Sequence, residues 1–276
     1  MPALNSDPVQ FDFGENWKSF SRSALGPAEV DAARIAFRDL FRHVPLAGRS
    51  FLDIGFGQGL GLCLAHEAGA KIHGCDINPK CVEALRSSAR FFPRFPPSSL
   101  PVVVGSILDS STVASLRALA AASGAPGFDV VQSWGVLHHT GDMRAALRSA
   151  GSLVNPGGHF VIAIYNTHWS SPAWRVLKRA YVAAPRFAQK ALIALLFPVI
   201  ILAKFAVTRQ NPLHQERGMD FRHDVVDWVG GYPYEYATIE QIEAFLHSEG
   251  FEMQRAIAAT VPTGCNQFVL RKRFVP

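Results

Sequence analysis

The sequence predicts an α/β protein in which a parallel sheet carries helices on both faces, and three observations support this. In Phe51-Leu-Asp-Ile-Gly-Phe-Gly-Gln-Gly59, apolar residues at 51, 52 and 54 read as a buried strand. The glycines that follow close it in a tight turn where backbone can approach a bound molecule. A helical pattern from Leu60 to Glu67 comes next, so the turn meets the free N–H groups of a helix N-terminus. Ile72 to Cys75 then reads as a second strand, with Asp76 at its carboxyl end. An acid there accepts hydrogen bonds from both hydroxyls of a ribose. Together these elements describe the adenosine-binding half of an open α/β sheet.

The glycine spacing distinguishes between adenosine cofactors. A dinucleotide turn needs Gly-x-Gly-x-x-Gly, but Leu60 and Leu62 stand where the third glycine would fall. Asp53 also brings negative charge toward the place of a pyrophosphate, whereas it suits an ammonium or sulfonium. Asp53-x-Gly55-x-Gly57-x-Gly59 resembles motif I of the class I S-adenosylmethionine-dependent methyltransferases. The resemblance implies that Asp53, Gly55, Phe56, Gly57 and Gly59 line the methionine side of that cofactor. Asp76 and Ile77 would then lie at its ribose.

Later motifs follow the family's order. Pro101 to Gly105 reads as a third strand, and Gly105-Ser-Ile-Leu-Asp109 stands where the family holds adenine, so Ser106 and Ile107 are expected there. Many members carry an acid at the position of Ser106. Phe128 to Gln132 reads as a fourth strand, and Ser133-Trp-Gly-Val-Leu-His-His139 is similar to motif IV, placing Ser133 and Trp134 beneath the transferring methyl group. Leu153-Val-Asn-Pro-Gly-Gly158 with Phe160 to Tyr165, then Gly250-Phe-Glu-Met253 and Cys265 to Leu270, match the remaining strands. The implied fold is α/β and Rossmann-like: a seven-stranded, mostly parallel sheet with a reversed last strand, plus a helical cap insertion. The expected division is an N-terminal helical arm at 1–48, the cofactor half of the core at 49–166, a substrate cap at 167–236 and the rest of the core at 237–276.

With 276 residues, 49% of them hydrophobic, the chain can bury a large core. Cys63, Cys75, Cys81 and Cys265 lack paired metal spacing, so they read as buried or surface thiols and no metal site is expected. The N-terminus lacks the basic and apolar blocks of a signal peptide, giving a cytoplasmic expectation. A net charge of +5 raises nucleic acid as a partner, yet the basic residues fall in scattered groups. The Asn/Asp-Pro-Pro-aromatic loop of base methylation is missing after the fourth strand, as is any Pro-Cys. Nucleic acid is therefore the minority reading.

The substrate is expected in the two segments outside the common fold. In the first, Phe11, Phe13, Trp17 and Phe20 stud an arm that either covers the cofactor or packs on the sheet's flank; helical patterning runs from Pro27 to His43. The second is too long for an ordinary connection and should have structure of its own. It contains Ala191 to Ala203, thirteen apolar residues flanked by Lys190 and Lys204. That run is shorter than the roughly twenty residues needed to cross a bilayer, and Pro198 is expected to kink it. A helix buried in the cap or in a homodimer interface, a lipophilic pocket wall and a peripheral membrane contact all stay open. The polar-aromatic run from His214 to Glu235 reads as a fixed, irregular loop.

The implied reaction is direct displacement, to which the protein contributes positioning and, where the acceptor loses a proton, a base. His139 is the first candidate base and His138 the second. Expected acceptor contacts are Trp17, Tyr165, Asn166, His214, Arg217, Tyr232, Tyr234 and Glu235, with Asp220 and Trp228 added for an amine and Arg222 for an acidic acceptor. The leading expectation is methylation at O or N of a small metabolite, with a lipophilic one first in line. The alternatives are an RNA or protein methyltransferase and a non-catalytic cofactor-binding regulator.

Overall fold

The computed structural model describes residues 11–96, 100–209, 211 and 221–274. Its centre is a sheet formed by β1 (Ser50–Ile54), β2 (Lys71–Asp76), β3 (Val102–Val104), β4 (Phe128–Trp134), β5 (Val154–Tyr165), β6 (Phe251–Ile257) and β7 (Cys265–Lys272). The seven strands lie in the order β3-β2-β1-β4-β5-β7-β6. All neighbours are parallel except β7, which runs antiparallel to both β5 and β6. The reversed last strand is thus as expected. Phe51, Leu52 and Ile54 are buried because β1 is covered on both faces, the usual condition of a parallel strand. Strand order reverses between β1 and β4, and in open α/β sheets ligands bind beyond the carboxyl ends at such a point.

One face is covered by α2 (Pro27–Leu40), α3 (Leu60–Glu67) and α4 (Lys80–Ser88), whose apolar sides join Phe51, Val130 and Val161 in one core. Proline opens α2 at a position where no N–H is needed, and Val30, Ala33, Phe37 and Leu40 recur at helical spacing on its buried side. The segment 1–48 is therefore not all arm, since α2 belongs to the core. The other face carries α5 (Ser110–Ala122), α6 (Met143–Ser152) and α10 (Ile239–Ser248). Thr238 and Gln241 cap α10 reciprocally, which fixes where the insertion ends.

The aromatic arm is itself helical, α1 (Phe13–Ser23), and packs against α4 and against the insertion. The insertion holds α7 (Ser171–Ala183), α8 (Arg186–Thr208) and α9 (Phe221–Gly230) around a small core of Tyr181, Phe221, Val225 and Val229. One expectation is corrected here, and the extent of the apolar run is defined. The apolar run lies in one helix of 23 residues that continues through Pro198, and none of those residues is fully buried. Residues 221–230 are helix rather than irregular loop, because Phe221, Val225 and Val229 repeat every four residues and bury one side.

Candidate active site

A cavity of about 1200 Å³ opens beyond the carboxyl ends of β1, β2 and β4. One end is built by the glycine turn. Gly57 adopts a φ of +54°, and a Cβ there would stand 3.1 Å from Nε1 of Trp17, so the indole lies directly over the turn. Gly57 N–H donates to Oδ2 of Asp76 at 3.0 Å and Asn78 N–H to Oδ1 at 2.8 Å. Those bonds, with the Cys81 side chain as a third partner, fix the carboxylate at the end of β2 and leave it a lone pair for a hydroxyl. Burial raises the pKa of Asp76, partly offset by these donors.

Asp53 is paired in register with Gly74 and Gln132, and its Oδ2 accepts from Nε2 of Gln132 at 3.2 Å. Burial, with a smaller push from Asp76, lifts its carboxyl to about 7 against the pull of that hydrogen bond. A cationic ligand group restores the charge of such an acid. The neighbouring cations at the cavity rim are already engaged: Lys80 pairs with Asp12 and Glu15, and Arg255 with Asp39 at 2.9 Å. Asp224 and Asp227 line the same cavity, so its side chains favour a positively charged occupant.

The other end is aromatic. His139, Tyr165, Asp227 and Trp228 line it, with Phe13 of α1 packed 4.9 Å from the His139 ring. His139 Nδ1 lies 2.6 Å from the carbonyl oxygen of Pro233, which only accepts, so Nδ1 carries the proton and Nε2 keeps the lone pair. Burial pushes this histidine down to about 3, hence it is neutral at ordinary pH. Asp227 is partly buried, desolvation raises its carboxyl well above the usual range, and Asn16 Nδ2 donates to its Oδ1 at 2.8 Å.

Asp53, Gly55, Phe56, Gly57, Asp76, Ile77, Ser106, Ile107 and Trp134 all line the cavity, as do Trp17, His139 and Tyr165. The others among the described residues turn elsewhere. Gly59 starts α3 in a left-handed conformation, and a Cβ there would collide with Leu85, so it serves the packing of α3 on α4. Ser133 is buried and its hydroxyl donates to Ile54 O. His138 is fully buried and accepts from Tyr165 N–H at 3.3 Å, which holds the end of β5. Asn166 Nδ2 donates to Pro262 O, and its Oδ1 accepts from Asn266. Tyr232 and Tyr234 are buried in an aromatic cluster behind Tyr165. Glu235 accepts from Met143 N–H and so caps α6. His214, Arg217 and Asp220 lie outside the described residues, as does the side chain of Arg222.

Several residues of the site went unnoticed in the sequence. Gly61 lets α3 approach the sheet, since a Cβ there would stand 2.6 Å from both Asp53 Oδ2 and Gln132 Nε2. Asp224 and Asp227 join Trp228, the one member of this set already expected, at i, i+3 and i+4 on a side of α9 that adjoins the Phe221, Val225 and Val229 side; that spacing was the available signal. Lys178 is fully buried among Tyr165, Trp228 and Tyr234, donates to Trp228 O, and is lowered to about 7 by desolvation. No apolar or charge pattern around it gave warning.

With this geometry in place, the chain belongs to the family described as "Methyltransferase domain", which it matches over residues 30–253. It is a class I S-adenosylmethionine-dependent methyltransferase. It is 28% identical over 198 residues to the ubiquinone biosynthesis O-methyltransferase of Methylocella silvestris, covering 65% of this chain and 72% of that protein. It is 30% identical over 163 residues to the protein of the same name from Xanthomonas campestris, 58% of each chain being covered. Other curated relatives of that name are matched over about 60% of their length or less. Among solved structures, magnesium protoporphyrin IX methyltransferase from Synechocystis PCC 6803 with bound SAH has a TM-score of 0.53 at 14% identity, covering 94% of this chain and 93% of that one. At that identity the likeness shows the fold.

Proposed function

We propose that this chain methylates an oxygen or nitrogen atom of a small, lipophilic metabolite. The observation that carries the proposal is the continuity of one cavity, with Asp53 and Asp76 at one end and His139 among aromatic walls at the other. The names of the curated relatives support oxygen as the methylated atom and a small, apolar acceptor. The acidic lining supports a small molecule over a polyphosphate chain such as RNA.

The cofactor end passes a test of fit. Gly57 keeps the turn free of a side chain beneath the Trp17 indole, Asp76 is a fixed acceptor at the ribose position, and Asp53 is a buried acid that a cation would ionise. S-adenosylmethionine, when bound, supplies an electrophilic methyl group on a sulfonium. Asp53 and Asp76 would hold it, Trp134, Ser106 and Ile107 would border it, and Trp17 would close over the turn and exclude water.

The remaining chemistry belongs to the chain's own groups. Tyr165, Trp228 and Phe13 provide apolar faces that orient a flat acceptor. His139 Nε2 takes the acceptor's proton as its oxygen or nitrogen forms the new bond. A base held as low as about 3 suffices, because a hydroxyl becomes strongly acidic while its oxygen gains a methyl group. Asp227, its carboxyl raised by desolvation and held by Asn16, lies beside the acceptor end as a hydrogen-bond partner. The test is transfer of labelled methyl from S-adenosylmethionine to phenolic acceptors of increasing alkyl length, with amines and RNA in parallel. Turnover that rises with alkyl length supports the proposal, and methylation of RNA alone would refute it.

A further inference from the structure

We propose that α8 docks this enzyme on an anionic lipid surface, lying in the plane of the interface with its outer side inserted. The inference rests on how α8 divides its residues. Leu192, Ile193, Leu196, Phe197, Ile200 and Ile201 pack onto the cap core beside Tyr181 and Phe221. The opposite side is exposed and wholly apolar from Ala191 to Ala203; Phe187, Leu195 and Leu202 keep 77%, 68% and 67% of their surface in contact with solvent. A contiguous exposed apolar strip of this kind marks a surface for a protein or a membrane.

Charge decides between those occupants. Residues 167–215 contain seven lysines and arginines and no aspartate or glutamate. Among them, Arg175 and Arg179 on α7 and Arg186 and Lys190 at the start of α8 are exposed. Basic groups flanking an apolar strip match anionic headgroups above acyl chains. A second copy of the same chain would instead bring like charges together. Trp169, exposed just before α7, adds the side chain that favours a membrane–water boundary. By length and composition α8 could cross a bilayer, yet crossing would strip its inner side from α7 and α9, so a flat-lying helix fits its packing better.

The surface is joined to the catalytic cavity through one helix. Phe221, Val225 and Val229 of α9 pack in the core under α8, while Asp224, Asp227 and Trp228 of the same helix line the cavity. Docking on α8 thus places a lipid phase next to the acceptor end, where a lipophilic acceptor is concentrated. That link to acceptor supply rests on the proposed function; the docking itself does not.

The test is co-sedimentation of the full chain with vesicles of phosphatidylcholine alone and with about one-third phosphatidylglycerol, with calorimetry of S-adenosylmethionine binding on the same samples. Partitioning onto the anionic vesicles is expected to exceed that onto neutral ones by about tenfold or more, and to weaken at high salt. Leu195→Glu with Leu202→Glu should lower it by at least about tenfold, and Arg186→Ser with Lys190→Ser should remove most of the preference for anionic lipid, both with cofactor binding unchanged. Absence of sedimentation, or equal binding to both vesicles, would overturn the proposal. So would a concentration-dependent dimer in solution that Leu195→Glu with Leu202→Glu dissociates, because a second copy would then cover the face. Vesicle binding without cofactor binding would refute the methyltransferase reading of the cavity and leave the docking intact.

Discussion

Asn16 donates to Asp227 at 2.8 Å and to the carbonyl of His223 at 3.1 Å, joining α1 to α9 across the mouth of the cavity. These two segments lie outside the common fold, and the bonds between them make one cover from two separate pieces of chain. Asn16→Ala leaves the partly buried Asp227 carboxyl without its donor. The expected result is a loss of about 1–3 kcal/mol in stability, read from denaturant midpoints, with weaker cofactor retention. An unchanged midpoint would mean that the two helices are held by apolar contacts alone.

Asp53 predicts a pH dependence of cofactor binding. Its carboxyl sits at about 7, so in the free protein it is protonated below that pH and ionised above it. A cationic ligand favours the ionised form, and binding below pH 7 therefore expels a proton. Affinity for S-adenosylmethionine should be flat above pH 7 and fall by about tenfold per unit below it. Asp53→Asn should be weak throughout and lose the slope. A wild-type profile flat from pH 5 to 8 would contradict this role.

The two adjacent histidines should respond differently. His139→Ala is expected to slow turnover by about 10²–10⁴-fold while sparing cofactor binding, the range for loss of a positioned base. His138→Ala removes the acceptor of Tyr165 N–H, so its main effect should be on stability, about 1–3 kcal/mol. Equal turnover in His139→Ala and wild type would reduce His139 to an anchor for Pro233.

Gly57→Val should abolish cofactor binding in a protein that still folds, because it forces a branched side chain into a left-handed φ beneath the Trp17 indole. Circular dichroism and calorimetry together check this, and normal affinity in the variant would refute the proposed role of the turn. Gly61→Ala should weaken binding as well, by displacing Asp53 or Gln132.

The core of this enzyme was legible in the sequence because its signals are local. The turn from Asp53 to Gly59, the acid after β2 and the alternation of strands with helices each occupy a short window, and Asp76 lay where the spacing put it. The acceptor end was less legible because side-chain direction there depends on tertiary packing. His138 and His139 are adjacent, yet only the second lines the cavity. Tyr232, Tyr234 and Glu235 have the polar and aromatic character of site residues, but they hold the site up from behind. Asp227 was hidden in a segment whose glycines suggested a loop, although the four-residue repeat of Phe221, Val225 and Val229 already argued for a helix.

The central claim is tested most directly by calorimetric titration of the purified protein with S-adenosylmethionine, S-adenosylhomocysteine and NAD in parallel. The structure predicts micromolar binding of the first two, lost in Asp76→Ala by about 1–3 kcal/mol, and none of NAD. Binding of NAD in preference to S-adenosylmethionine, or the same affinity in wild type and Asp76→Ala, would contradict the assignment of this cavity.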